Sequence, residues 1–145
     1  MADITVTAAS VVKDTGTIAP SVLANGTAGA TITAGQSVYL DATTSTIKLA
    51  DSDASAAAAY GVGIAMHAAL SGQPLQYITG GFFTPGATLT KGAVYVVSAT
   101  AGGIAPIADQ TTNAHPCLLF YAISTTVAFV LVKNMTDTAG TQITL

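Results

Sequence analysis

Leu118-Leu119-Phe120-Tyr121-Ala122-Ile123 and Val127-Ala128-Phe129-Val130-Leu131-Val132 are two unbroken apolar runs, separated only by Ser124-Thr125-Thr126. Each has the length of a strand and is too short for a typical helix. β-Branched and aromatic residues dominate both, and the small polar residues between them read as a turn. Working outward, Val94-Tyr95-Val96-Val97 is a third apolar run. Leu75-Gln76-Tyr77-Ile78-Thr79 and Thr46-Ile47-Lys48-Leu49 alternate polar and apolar as half-buried strands do, the former ending at Gly80-Gly81. Ser37-Val38-Tyr39-Leu40 and Thr31-Ile32-Thr33 add two more strand signals around Gly35. No window holds a helical period, except that Ala54 to Tyr60 has room for one or two turns, with Asp51, Ser52 or Asp53 as candidate caps. The expected class is all-β, with at most one short helix.

The order of these segments recurs. Gly35-Gln36-Ser37-Val38-Tyr39-Leu40 resembles Gly92-Ala93-Val94-Tyr95-Val96, and Ala50-Asp51 resembles Ala108-Asp109. The pairs Gly35/Gly92, Tyr39/Tyr95 and Asp51/Asp109 are offset by 57, 56 and 58 residues. After each Ala-Asp come a loop, an apolar strand, a turn and a further strand. This predicts a compact β-barrel or sandwich of two similar halves, about 31–80 and 88–134, within one β domain spanning 31–145. Residues 1–30 read differently. Ile4-Thr5-Val6-Thr7 has strand character, but Lys13 to Gly29 is rich in Gly, Thr and Ala and contains the turn dipeptide Asn25-Gly26. An extended N-terminal arm is expected, ordered only where it lies on something else, with Ile4, Val6, Val11, Val12 and Ile18 as its partner-contacting side chains.

Composition limits the function classes. Four Lys, seven Asp, no Arg and no Glu leave 8% charged residues, against about 25% in ordinary soluble domains. Without Arg, and with a net charge of −3, the chain lacks the electrostatic footprint of a nucleic-acid binder. Mean hydropathy is high at +0.59. Yet the longest weakly polar stretch, Ala54 to Met66, is interrupted by Ser55, Gly61 and Gly63, so no membrane span is expected. Met1-Ala2-Asp3-Ile4 carries no basic or apolar signal region, and Cys117 is the single cysteine, so synthesis in the cytoplasm without disulfides is expected. A surface of Thr, Ser, Ala and Gly this poor in charge is weakly defended against association.

Candidate chemistry is sparse. His115 and Cys117 lie two apart, with Asp109 near in sequence, short of the three or four ligands of a zinc site. A loop histidine before Pro116 and a core cysteine opening a strand is the simpler reading, and His67 reads as a rim residue. Asp51-Ser52-Asp53 lacks the further oxygen ligands of a calcium loop. Gly61-Val62-Gly63 lacks the third glycine and the helix of a dinucleotide fingerprint. No catalytic, cofactor-binding or metal residue is assigned, and no enzymatic activity is expected.

A family resemblance runs across Asn25 to Asp109. Asn25-Gly26-Thr27-Ala28-Gly29-Ala30-Thr31-Ile32-Thr33-Ala34-Gly35-Gln36-Ser37-Val38-Tyr39-Leu40-Asp41, Lys48-Leu49-Ala50-Asp51, Gly63-Ile64-Ala65 and Gly72-Gln73-Pro74-Leu75 carry it. So does Lys91-Gly92-Ala93-Val94-Tyr95-Val96-Val97-Ser98-Ala99-Thr100-Ala101-Gly102-Gly103-Ile104. Together they resemble the small head decoration, or cement, proteins of tailed bacteriophages. The resemblance implies a β-barrel module on the outer surface of the capsid in the virion, bound to the major capsid protein and commonly a homotrimer. It implies no active residue. The alternatives are another virion module, such as a fibre or tail protein, or a bacterial surface or carbohydrate-binding β domain. The absence of Trp and the 6% aromatic content count against a sugar site.

Overall fold

The computed structural model describes residues 2–110 and 115–135, and the chain is all-β. Its strands are β1 (Val11–Lys13), β2 (Val22–Thr27), β3 (Ser37–Asp41), β4 (Thr46–Leu49), β5 (Gly61–Ala65), β6 (Pro74–Pro85), β7 (Val94–Val97), β8 (Ile104–Pro106), β9 (Cys117–Ala122) and β10 (Ala128–Asn134). The two runs that open the sequence reading become β9 and β10, paired antiparallel across their turn. The single α-helix among the described residues, α1 (Ala56–Ala59), falls where a short helix was expected, but its cap is different. Ser55 Oγ accepts from Ala58 N at 3.0 Å, and Asp51, Ser52 and Asp53 lie too far upstream to serve.

All ten strands belong to one sheet, whose path runs β4-β3-β5-β6-β10-β9-β7-β8. This order has the same internal plan read from either end, and the β3–β5 and β7–β9 pairings each carry one register shift, at Val38/Tyr39 and at Tyr95/Val96. The long β6 joins the two parts. Ile78 pairs with Ile64 of β5 and Leu23 of β2, Gly80 with Leu131 of β10 and Val22 of β2, and Phe83 with Ala128 of β10 and Lys13 of β1. A strand has only two edges, so β5 and β10 share one edge of β6 while β1 and β2 run along the other.

The sheet curls until its ends meet. The Ser37 amide donates to Gly102 O (3.0 Å), the Gly102 amide to Ala50 O (2.8 Å), and the Ser52 amide to Ser98 O (2.9 Å). These bonds lace the β3–β4 end to the β7–β8 hairpin. Inside lies an apolar core in which Phe120 stacks on Tyr95 (centroids 5.1 Å apart) and meets Phe83 edge-on (5.6 Å). Ile64, Ile78, Leu119 and Val130 surround them, fully or almost fully buried. A second cluster of Ala28, Ile32, Val38, Ile47 and Leu75 fills the β3–β4 end.

Several local readings change. β6 does not stop at Gly80-Gly81 but continues to Pro85. Gly81 takes φ of +82°, which lets the strand bend where the chain at Pro20 passes against it. The boundary expected at residue 30 falls within the sheet assembly. Val22–Thr27 is β2, with Asn25-Gly26 inside it, because six residues of β6 supply a pairing edge that outweighs the local turn preference. Thr31–Thr33 is not a strand, and Ile32 makes only an isolated bridge to Ala69.

Candidate interaction surface

The residues that carry chemistry are used structurally. Cys117 is fully buried at the start of β9, with Sγ 4.0 Å from Gly61 O. Burial pushes its thiol up to about 11, opposed in part by a backbone hydrogen bond with Gly61, so at neutral pH it is neither a nucleophile nor a thiolate ligand. His115 donates its amide to Ser52 O at 2.7 Å, which brings the Asp51–Asp53 loop beside β9. His115 Nδ1 and Ser52 Oγ are buried with no hydrogen-bond partner. Among the described residues no three His, Cys or Asp side chains gather as a metal-holding group.

Asp51 Oδ1 accepts the Asp53 amide at 3.2 Å. Partial burial, and then the neighbouring Asp53 carboxyl, hold the Asp51 carboxyl above the ordinary range. His67 staples the β5–β6 turn: Nε2 accepts from the Gln76 amide at 3.0 Å, so Nδ1–H donates to Ala68 O at 2.9 Å. Asp41 and Lys48 form an ion pair at 2.7 Å across the β3–β4 hairpin. That contact lowers the carboxyl and raises the ammonium from their usual values.

The five arm residues divide. Ile4 packs on the core, and its amide donates to Ile104 O at 2.8 Å. Val6 and Val11 press against Gly35, whose φ of +88° and missing side chain make room for them. Asp3 accepts the Ser98 hydroxyl. Val12 and Ile18 remain exposed. Residues 2–13 are therefore tied to their own domain, along β6 and the free edge of β8. Between this strap and the β7–β8 hairpin lies a shallow cleft of ≈ 270 Å³ edged by Asp3, Gln36 and Gly102.

The sheet's outer face is more informative. Alternation along β10 turns Ala128 and Val130 inward and Phe129 and Leu131 outward. Register then aligns Phe129 with Phe82 of β6 and Tyr121 of β9, Tyr121 with Val94 of β7, and Leu131 with Gly80 opposite Val22. The result is a ridge across the strands. Phe82 meets Phe129 edge-on at 5.2 Å, and Phe129 lies 5.5 Å from Tyr121. Val12, paired with Thr84, continues it over β1. Val12 is 53%, Val22 57%, Leu131 51% and Tyr121 37% exposed. Unbroken apolar strands normally have both faces covered; here, among the described residues, the inner face is covered by the core and the outer one is not. Sequence reading missed this ridge, although the apolar residues at both parities of β9 and β10 were its signal.

Comparison with protein-family models finds no match, and comparison with curated proteins finds none either.

Proposed function

We propose that the chain is a structural, non-enzymatic virion protein: a cement protein that binds the major capsid protein on the outer surface of a tailed-phage head and acts as a homotrimer. The observation that carries this reading is the outward apolar ridge on a charge-poor β module whose His and Cys residues serve the fold. Such a surface suits association of copies of the chain, and linked copies gain avidity when they dock together on the identical lattice points of a shell. The family resemblance in the turns and strands supports the same reading. A sugar-binding domain is less well supported, because Phe82 and Phe129 lie in an apolar row rather than beside paired polar groups.

The test is fractionation of phage particles that contain this chain, with heads separated from tails and fibres, followed by imaging of the heads. The expected result is the chain on the outer head surface, at a fixed ratio to the major shell protein. Recovery in tails or fibres would replace the cement reading with the other virion module. Val12→Asp and Ile18→Ser are the variants to use for the arm. Deleting residues 1–30 would also remove β1 and β2 from the sheet.

A further inference from the structure

Gly80 is not explained by packing among the described residues. It lies in the middle of β6 with Leu131 as its partner on one edge and Val22 on the other. Its φ is not left-handed. A Cβ there would meet only Val22 side-chain atoms at 3.7 and 3.8 Å and Val130 O at 4.0 Å, which is ordinary contact. Glycine weakens a strand relative to a residue that packs, and inside strands it often marks the close approach of another backbone or a ligand. Here it opens a notch on the outer face, with Val22 and Leu131 standing on either side, each more than half exposed.

We infer that this notched ridge is the face through which copies of the chain associate, Leu131 of one copy seating over Gly80 of the next. Knob and notch lie side by side in register on the same face. A single rotation axis close to Gly80 therefore brings each knob over a neighbour's notch, a match that an identical copy supplies automatically. The ridge asks for no charged partner: its members are aliphatic and aromatic, and Lys133 stands at the margin, two residues along β10. The exposed apolar area is on the order of 400 Å², within the range that marks functional patches on monomers. With the surrounding threonines, it approaches the roughly 800 Å² per partner of a standard interface. This rests on the part of the proposed function in which copies associate, and is independent of what the assembly attaches to.

The experiment is native mass spectrometry and sedimentation equilibrium on the full chain, for the wild type, Leu131→Asp and Gly80→Val, with circular dichroism to verify folding. The wild type is expected to be oligomeric at micromolar concentration. Leu131→Asp should weaken association by on the order of a hundredfold. Gly80→Val, which fills the notch with a good strand former, should weaken it while melting no earlier than Leu131→Asp, which has likewise lost the stabilisation that association adds. A monomeric wild type overturns the inference, as do variants that remain fully associated. If a monomeric wild type still decorates heads and Leu131→Asp does not, the ridge is a shell contact and the cement reading stands without this one. An oligomeric wild type that breaks up in both variants but binds no heads leaves this inference standing and removes the cement reading.

Discussion

Phe120→Ala measures the difference between the two faces of the sheet. Phe120 is fully buried, stacked on Tyr95 and edge-on to Phe83. Truncating such a ring removes its transfer free energy and leaves a cavity, at a cost of about 3–5 kcal/mol. Phe129, one strand away, is only half-buried and faces out between Phe82 and Tyr121. Losing half the burial and two exposed ring contacts should cost about 1–2 kcal/mol. Domains of this size are stable by about 5–15 kcal/mol, so Phe120→Ala should still fold. The assay is urea unfolding in a Leu131→Asp background, so that association does not add to the apparent stability. With a slope of roughly 2 kcal/mol per molar urea, Phe120→Ala should lower the midpoint by about 1.5–2.5 M, and Phe129→Ala by less than about 1 M. Equal shifts for the two variants would mean that the inner and outer faces have been assigned wrongly.

Two further predictions concern the buried thiol and the N-terminal strap. The Cys117 thiol is raised from 9.0 to about 11, so the folded chain holds its proton where the unfolded chain releases it. Its contribution is therefore neutral below pH 9 and becomes progressively destabilising from pH 9 to 11, reaching roughly 2–3 kcal/mol. In alkaline unfolding, Cys117→Ala should lose that slope; an unchanged pH dependence relative to the wild type would contradict the burial argument. Gly35→Ala should push Val6 and Val11 off the domain, because a Cβ there meets both while the backbone holds a φ of +88°. The expected result is faster amide exchange at Ile4 and Thr7, which donate to Ile104 O and Gly86 O, with a global loss of about 1–3 kcal/mol. Exchange as slow as in the wild type would show that the strap does not depend on that contact.

The β class was legible in the sequence because it depends on local properties. Runs such as Leu118–Ile123 and Val127–Val132 are strand-length and bounded by turn residues, and no competing helical period exists. The short helix was legible for the same reason, though not its Ser55 cap. Cys117 as a core residue was legible from its neighbours, since an isolated thiol that opens an apolar strand has nowhere polar to go. The roles of Val22–Thr27 and of Gly80–Pro85 were not legible, because their strands exist only through each other and through β10, and pairing energy between distant segments leaves no local trace. The interaction ridge was hidden for a related reason. Along an unbroken apolar run both parities look alike, so the sequence determines that Phe120 and Tyr121 point opposite ways but not which of them faces the core. That choice was made by the curl of the sheet, which encloses Phe120 with Phe83 and Tyr95 and leaves Tyr121, Phe129 and Leu131 on the side that none of the other described residues encloses.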